Sequence, residues 1–442
     1  DLMTIVSHRE RKNKTVDMLA ATPSTLNYIH ARMATAGWAN PLFLPTIIKP
    51  LPWTSIRSGG YYSMKEALEP VRLVKKLWTK NAEGKARFMR LERTVMPEVY
   101  RAVNAVQNTG WRINKALLTV MQEAWYHGGC TIGKMPIRTT AETFEASFPL
   151  PPRMPEGATE EEKTARNRVA SKVYRRREAQ IGKVFQMDRT MMLAEKFADE
   201  KAIYFPMQLD FRGRMYAMPS VLNPQGTDCA KGLLEFSEGK RLGPAGWRWL
   251  HIHVANMHGE DKISFDAREQ WTVENYYWIV DCVKQPFEHR EWMDADKPWQ
   301  FLAGAIELVA AVESGDYENY FSHLPVTVDG TCNGLQHFSA MLLDQDGAAS
   351  VNLQPSEIPS DIYQIVADKV KAKFATMDDP LAKQWLAWGF DRKATKRAVM
   401  ILPYSGTQHA ATEYIREYVK ERMEAENPGA QFEDEFQATA FF

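Results

Sequence analysis

Cysteine is scarce in this 442-residue chain: Cys130, Cys229, Cys282 and Cys332 are its four, and no two form a CxxC pair. That scatter excludes a zinc ribbon or a disulfide framework and fits a reducing compartment. Charge of one sign is not in excess either, since 55 Lys and Arg meet 55 Asp and Glu. A uniformly basic nucleic-acid binder is thereby excluded, whereas local basic clusters on a balanced background are not. No apolar run reaches the roughly 20 residues that a bilayer-spanning helix needs. The longest, Trp299 to Val312, contains Glu307 and predicts a buried helix. The opening residues are polar and charged, unlike a signal peptide. No internal repeat is visible.

What is present is ordinary globular composition, 45% hydrophobic, in a chain long enough for about three domains at roughly 150 residues each. Residues 1–125 are expected to be mainly helical, with Trp111, Ile113, Leu117, Leu118 and Met121 at helical spacing. Four prolines between Pro149 and Pro155 mark a boundary. Thr159-Glu160-Glu161-Glu162 then reads as a capping box opening a long helix to about Glu200. That helix is basic (Lys163, Arg166, Arg168, Lys172, Arg175, Arg176, Arg177, Lys183), which suits either a solvated face or a phosphate-backbone contact. Beyond Lys201 short strands alternate with helices up to Asp329, and from Pro359 onward the pattern is again helical. The expected class is α+β, predominantly helical.

Three segments carry chemistry-bearing patterns. In Leu324-Pro325-Val326-Thr327-Val328-Asp329-Gly330, alternating Leu324, Val326 and Val328 predict a strand with that face buried and Asp329 at its end. Gly330 is expected to let the backbone turn and expose its carbonyl, and Leu335, Phe338 and Leu342 predict an amphipathic helix after it. A carboxylate beside an accessible carbonyl suits a hard cation such as magnesium, although Asp-Gly is also a common plain turn. In Asp391-Arg392-Lys393-Ala394-Thr395-Lys396-Arg397, Asp391 is a good N-cap and Arg392 and Lys396 share a helix face. Cations in a helix's first turns oppose its dipole, and a bound triphosphate would resolve that conflict. Pro403 ends or kinks this helix and presents Tyr404. Asp210-Phe211-Arg212-Gly213-Arg214-Met215-Tyr216 reads as a strand with a tight feature at Gly213, placing Arg212 and Arg214 on one face for a nucleic-acid backbone or for surface ion pairs. His251 and His253 alternate as in a strand, lack a third ligand nearby, and read as structural. Lys231 and Lys262 carry no signal of their own.

Together these segments resemble a known family. Thr327-Val328-Asp329-Gly330-Thr331-Cys332-Asn333-Gly334-Leu335-Gln336-His337-Phe338-Ser339-Ala340 resembles motif A of the single-subunit, phage-type DNA-dependent RNA polymerases. Arg392 to Tyr404 resembles their motif B, and Asp210 to Tyr216 their D-[FW]-R-G-R-x-Y signature. Asn223-Pro224-Gln225-Gly226, Lys231-Gly232-Leu233-Leu234, Asp361-Ile362-Tyr363, Met96 to Tyr100 and Gln107-Asn108-Thr109 follow the family's order. The likeness runs from about residue 90 to about 405.

The resemblance implies a right hand of thumb, palm and fingers. By its carry-over, residues 1–125 are an N-terminal helical portion and 126–200 thumb-like helices. Residues 201–357 are then a palm portion with motif A, and 358–442 a fingers portion with motif B, so that palm and fingers are incomplete. It implies DNA-templated RNA synthesis from NTPs with two magnesium ions. Asp329 would bind both ions, aided by the Gly330 carbonyl. Lys396 would contact the triphosphate and act as general acid, and Arg392 and Lys262 would hold phosphates. Tyr363 would lie near the incoming nucleotide, and Tyr404 at its ribose. Arg212, Arg214, Tyr216, Lys231 and the thumb arginines Arg175, Arg176 and Arg177 would contact nucleic acid. Promoter DNA, template strand and nascent RNA would be the partners of a monomer acting in the cytoplasm of an infected bacterium, a phage origin being preferred to a mitochondrial one.

Three features depart from the family pattern. Pro403 and Ser405 flank Tyr404 where the best-known phage enzyme has Ala and Gly. The family's second metal-binding carboxylate stands in a His-Asp-Ser turn, and no His-Asp dipeptide occurs here; Glu433-Asp434-Glu435 is a poor substitute. The start at Asp1 and the close at Phe441-Phe442 add the expectation of a C-terminally truncated piece that is inactive alone. A related DNA polymerase and a truncated nucleic-acid-binding module are the rival readings.

Overall fold

The computed structural model describes residues 43–62, 71–74, 82–127, 134–136, 146–152, 154, 157, 159–425, 439 and 441–442. It also gives the backbone of strands β1 (Met3–Arg11) and β2 (Lys14–Ala21). Cys130, the Arg168 side chain and Glu433-Asp434-Glu435 lie outside the described residues. The chain divides into two compact units, Asp1–Gly259 with Glu274–Pro325 and Glu260–Val273 with Val326–Phe442. Both are dominated by helices, and the described strands form two-stranded pairs, so the class is α+β and predominantly helical.

In the first unit, the described residues of 1–125 include strands where mainly helix was expected. β1 pairs with β2, and β3 (Leu51–Ser55) pairs with β4 (Ser58–Gly60). Pro50 and Pro52 rule out a helix at β3, and the turn back at β4 needs glycine. A Cβ on Gly59 would lie 2.4 Å from the Trp53 ring, and its φ is +152°. Helices α1 (Ala82–Arg93), α2 (Pro97–Gln107) and α3 (Lys115–His127) follow. Next comes the 38-residue α4 (Glu160–Phe197), whose start is the expected Thr159–Glu162 capping box.

Short helix α5 (Asp228–Gly232) leads to α6 (Gly243–His258) and, past α7 (Phe265–Glu274), whose residues to Val273 belong to the second unit, to α8 (Tyr276–Lys284). The centre of the first unit is α9 (Pro298–Glu313), the buried helix expected from the apolar run. Asp228 caps its start, accepting from the amides of Trp299 (2.9 Å) and Gln300 (3.2 Å). Gly304 lets α9 approach α6, since a Cβ there would sit 3.2 Å from Val254. His251 and His253 lie on α6 and are buried, so their alternation is not that of a strand. Because α6 buries a continuous stretch from Leu250 to Ala255, its sequence shows no clean helical period.

The second unit is built on α12 (Ile362–Ala375), α13 (Pro380–Trp388), α14 (Arg392–Ile401) and α15 (Gln408–Ala425). Their core joins Ala367, Phe374, Trp385, Phe390, Ala394 and Val419, with Phe441 and Phe442 packed against it. Arg422 on α15 donates to the Trp388 carbonyl at 3.2 Å and to that of Gly389, closing the end of α13. The same unit carries α10 (Asn333–Leu342) and α11 (Gln345–Ser350).

Candidate active site

The Asp329 segment departs from expectation in two ways. Residues 324–330 form no strand, and Val326 and Val328 are exposed, Val328 by 79%. Alternation buries a face only when a neighbouring strand or helix covers it. Among the described residues the nearest pairing is upstream, where β8 (Phe321–Ser322) meets β7 (Lys240–Arg241). The left-handed residue of the turn is also not Gly330 but Cys332, at φ 49° and ψ 63°. The expected helix α10 follows at once, but its apolar side stays open, with Met341, Leu342 and Leu343 all exposed.

Asp329 itself is exposed, and its Oδ1 accepts from the Gly330 amide at 2.8 Å. Among the described residues no cation pairs with it. Around this turn two side chains hold the backbone. Asn352 Nδ2 donates to Thr331 Oγ1 at 3.0 Å, and Gln336 Nε2 donates to the Val351 carbonyl at 2.8 Å. Burial, and after it the neighbouring Cys332 side chain, push the Tyr363 phenol well above its usual range.

The motif-B helix α14 starts as the sequence predicts, with Asp391 accepting from the Lys393 amide at 2.9 Å. Its cations divide into two sets. Arg397 pairs with Glu417 and Glu421 of α15 at 2.8 and 3.0 Å. Arg392 is half-buried, and its Nε meets Asp361 Oδ2 at 2.5 Å. Its guanidinium also lies 5.6 Å from the Tyr363 ring centroid. The conflict between Arg392 and the helix dipole is therefore eased by a carboxylate of the chain itself. Lys396, one turn on, is exposed and has no acidic partner among the described residues.

Asp361 carries two loads. Its Oδ1 caps α12, accepting from the Tyr363 and Gln364 amides at 3.0 and 3.3 Å, while its Oδ2 holds Arg392. Thr395 Oγ1 closes the junction by donating to the Tyr363 carbonyl at 2.7 Å. Helix α14 ends at Ile401, and Leu402–Tyr404 continues as a 3-10 turn with Ser405 left-handed at φ 61°. This turn packs on the start of α10. A Cβ on Gly334 would lie 2.7 Å from Pro403 Cβ, and the Tyr404 hydroxyl donates to Asn333 Oδ1 at 3.4 Å.

The second unit thus brings together Tyr363, Arg392 and Asp361, and joins Tyr404 to the helix that follows Asp329. Lys262 is exposed, pairs with its neighbour Asp261 at 2.8 Å, and makes no hydrogen bond or ion pair with the other candidates. Sequence reasoning missed Asp361, Asn352, Cys332 and Asn333 as site builders. Only Asp361 had a local sign, an Asp immediately before a helical run.

In the first unit, Asp210 to Tyr216 is a hairpin rather than one strand. β5 (Met207–Leu209) and β6 (Met215–Ala217) flank a tight turn with Gly213 at φ +87°. Asp210 shapes it, accepting from the Arg212 and Arg214 amides at 2.8 and 3.0 Å and pairing with the Arg212 guanidinium at 2.8 Å. Arg212, Arg214 and half-buried Tyr216 sit at or beside the exposed tip. Lys231 lies half-buried in α5. On α4, Arg177 is committed to the chain, donating to the Phe148 carbonyl at 3.0 and 2.5 Å, and Arg166 donates to that of Pro152 at 2.8 Å. Arg175 and Arg176 are exposed. Among the described residues no helix is long and apolar enough to cross a membrane.

The 3-10 turn at the end of the basic α14 thus meets the start of the helix that follows the Asp329 turn. Residues 240–441 match the family described as DNA-dependent RNA polymerase. T7 RNA polymerase of Escherichia phage T7 is 36% identical over 432 residues, which cover 91% of this chain and 46% of that protein. The DNA-directed RNA polymerase of Enterobacteria phage T3 is 37% identical, covering 84% of this chain and 43% of that protein. A mitochondrial DNA-directed RNA polymerase of Schizosaccharomyces pombe is 35% identical, covering 86% and 32%. Most of the chain is thus similar to phage and mitochondrial DNA-directed RNA polymerases, and it spans less than half the length of these relatives.

Proposed function

We propose that this chain supplies the nucleotide-holding part of an enzyme that synthesises RNA on a DNA template. The observation that carries the reading is the junction of α12 and α14. There the motif-B arginine, Arg392, is fixed against Tyr363 and Asp361, one helical turn from the exposed Lys396. A guanidinium and an ammonium one turn apart match the oxygens of a triphosphate. In this reading residues 201–357 contribute to a palm, 358–442 to fingers and the basic α4 to a thumb, within a monomeric enzyme working in the cytoplasm of an infected bacterium. Arg212, Arg214, Tyr216, Lys231, Arg175 and Arg176 contact template strand, promoter DNA or nascent RNA. Arg177 contributes less, because the Phe148 carbonyl already occupies it.

The donor set fits part of a magnesium centre. Asp329 and the Gly330 carbonyl are hard, exposed oxygens, the type Mg²⁺ takes. Among the described residues, however, no group of three or more His, Cys, Asp or Glu converges. Bound ions would activate the attacking 3′-hydroxyl and offset charge on the leaving group. The chain's own side chains do the remainder. Arg392 and Lys396 neutralise the triphosphate, Lys396 Nζ gives a proton to the departing pyrophosphate, Tyr363 flanks the incoming nucleotide, and Tyr404 at the ribose favours ribonucleotides. Lys262 holds phosphate from its own loop.

Two-metal transfer needs at least two converging carboxylates, and Asp329 is one. The test measures Mg²⁺·GTP binding and primer extension by the same 442-residue chain. Binding that weakens in Asp329→Ala and Arg392→Ala, together with no extension, is the expected result. Robust extension by this chain would overturn the view that the second carboxylate is missing from it.

A further inference from the structure

Asp329 is exposed and, among the described residues, is bonded only through its neighbour's amide, so something else must fix the turn that carries it. Asn352 is placed to do so. Its Nδ2 donates both to Thr331 Oγ1 at 3.0 Å and to the Ser360 carbonyl at 2.8 Å, while its Oδ1 accepts from the Ser360 amide at 2.7 Å. Ser360 immediately precedes Asp361, the residue that caps α12 and holds Arg392. One side-chain amide therefore spans from the Asp329 turn to the base of the Arg392 ion pair. Its backbone is left-handed, at φ 58°, a conformation that asparagine tolerates better than most side chains. Three bonds to one planar group leave it no rotational freedom. An aspartate would lose both donor bonds, and an alanine would lose all three.

We infer that Asn352 is a positioning residue that sets the Asp329 carboxylate at a fixed separation from the Arg392 guanidinium. The metal end and the phosphate end of one nucleotide site are then held in register. The inference rests on the reading of that site given above. If it holds, removing the Asn352 amide uncouples the two ends. Arg392 and Lys396 still grip a triphosphate, but the added grip that magnesium provides is lost.

The test uses the whole chain and Mg²⁺·GTP as probe. Asn352→Gly removes the amide without straining the left-handed backbone. Thr331→Val removes only the acceptor at the turn, and Thr331→Ser restores it. GTP affinity is measured with magnesium and with EDTA. Iodoacetamide labelling of half-buried Cys332, beside Thr331, reports the order of the turn, with buried Cys229 and Cys282 as internal references. Asn352→Gly and Thr331→Val should each weaken Mg²⁺·GTP binding about tenfold, the scale of a lost hydrogen bond that couples two groups, while binding in EDTA stays unchanged. The double variant should be no weaker than Asn352→Gly alone, Thr331→Ser should behave as wild type, and Cys332 should label severalfold faster in Asn352→Gly. A folded Asn352→Gly chain that keeps the full magnesium-dependent gain overturns the inference, provided Asp329→Ala and Arg392→Ala lose binding. If those two variants bind normally, the reading of the site fails and the inference falls with it.

Discussion

Asp361 separates two contributions that two substitutions can tell apart. Its Oδ1 caps α12 through the Tyr363 and Gln364 amides, and its Oδ2 pairs with Arg392 at 2.5 Å with 20% and 32% of the two side chains exposed. Removing an N-cap costs about 1 kcal/mol. A half-buried, charge-assisted hydrogen bond is worth about 2 kcal/mol. Asp361→Ala loses both, for a local cost of about 3 kcal/mol, or about a 150-fold loss of protection at RT of about 0.6 kcal/mol. Asp361→Asn keeps the cap, because asparagine caps as well as aspartate, and loses only the charge, for about 1 kcal/mol or about fivefold. Hydrogen exchange read by mass spectrometry on peptides covering Ile362–Ala375 and Arg392–Ile401 measures both values. Peptides from Pro298–Glu313 serve as the control for global unfolding. A less than threefold change in Asp361→Ala, or equal losses in the two variants, would refute the assignment of two separable roles.

Four further outcomes follow from the geometry. Asp329→Ala should leave thermal stability within about 0.5 kcal/mol of wild type, because the carboxylate is exposed; a large drop in a urea melt would mean that it holds the fold. Gly334→Ala should destabilise by about 1–3 kcal/mol, since the new Cβ lies 2.7 Å from Pro403 Cβ; unchanged melting would show that the 3-10 turn of Tyr404 yields freely. Arg177→Ala should release the Phe148 carbonyl, so limited proteolysis should cut more readily within 146–152 while Arg175→Ala leaves that site protected. Burial, with a smaller push from Lys297, lowers the His253 pKa to about 4. Between roughly pH 6.5 and pH 4 the unfolded chain therefore binds a proton that the folded one refuses, and stability should fall as pH drops through that window. His253→Gln should flatten this acid slope by up to about 3 kcal/mol in urea titrations, and an unchanged slope would show that another group governs it.

The features legible in the sequence are those that neighbours along the chain determine. Thr159 and Glu162 cap each other across one turn of helix, Asp391 caps α14, and the Trp299 to Val312 run is apolar enough to be buried on any face. The order of the Asp329, Arg392 and Tyr404 segments was equally plain. What misled were patterns whose meaning depends on a distant partner. Val326 and Val328 alternate as in a strand, but among the described residues no strand pairs beside them and both are exposed. Arg212 and Arg214 alternate too, yet Asp210 folds the chain back on itself before a strand can form. Arg177 looked available for phosphate, and a carbonyl from the proline-rich segment takes it.

The same division explains how the candidate site is assembled. Three of the groups that would touch substrate, Asp329, Lys396 and Tyr404, are exposed. Groups that touch the substrate cannot also be saturated by the protein, so their order has to come from a second layer. Here that layer is Asn352, Asp361, Thr395 and Cys332, each meeting a residue 20 or more positions away or linking two segments that do. None of them stands out by residue type or spacing, because an Asn in a polar loop and a Thr inside a helix are commonplace. Their roles exist only once α10, α12 and α14 are packed together. Substitutions in this layer should therefore alter how magnesium and triphosphate binding are coupled, whereas substitutions at Asp329 or Arg392 should remove one of the two bindings outright.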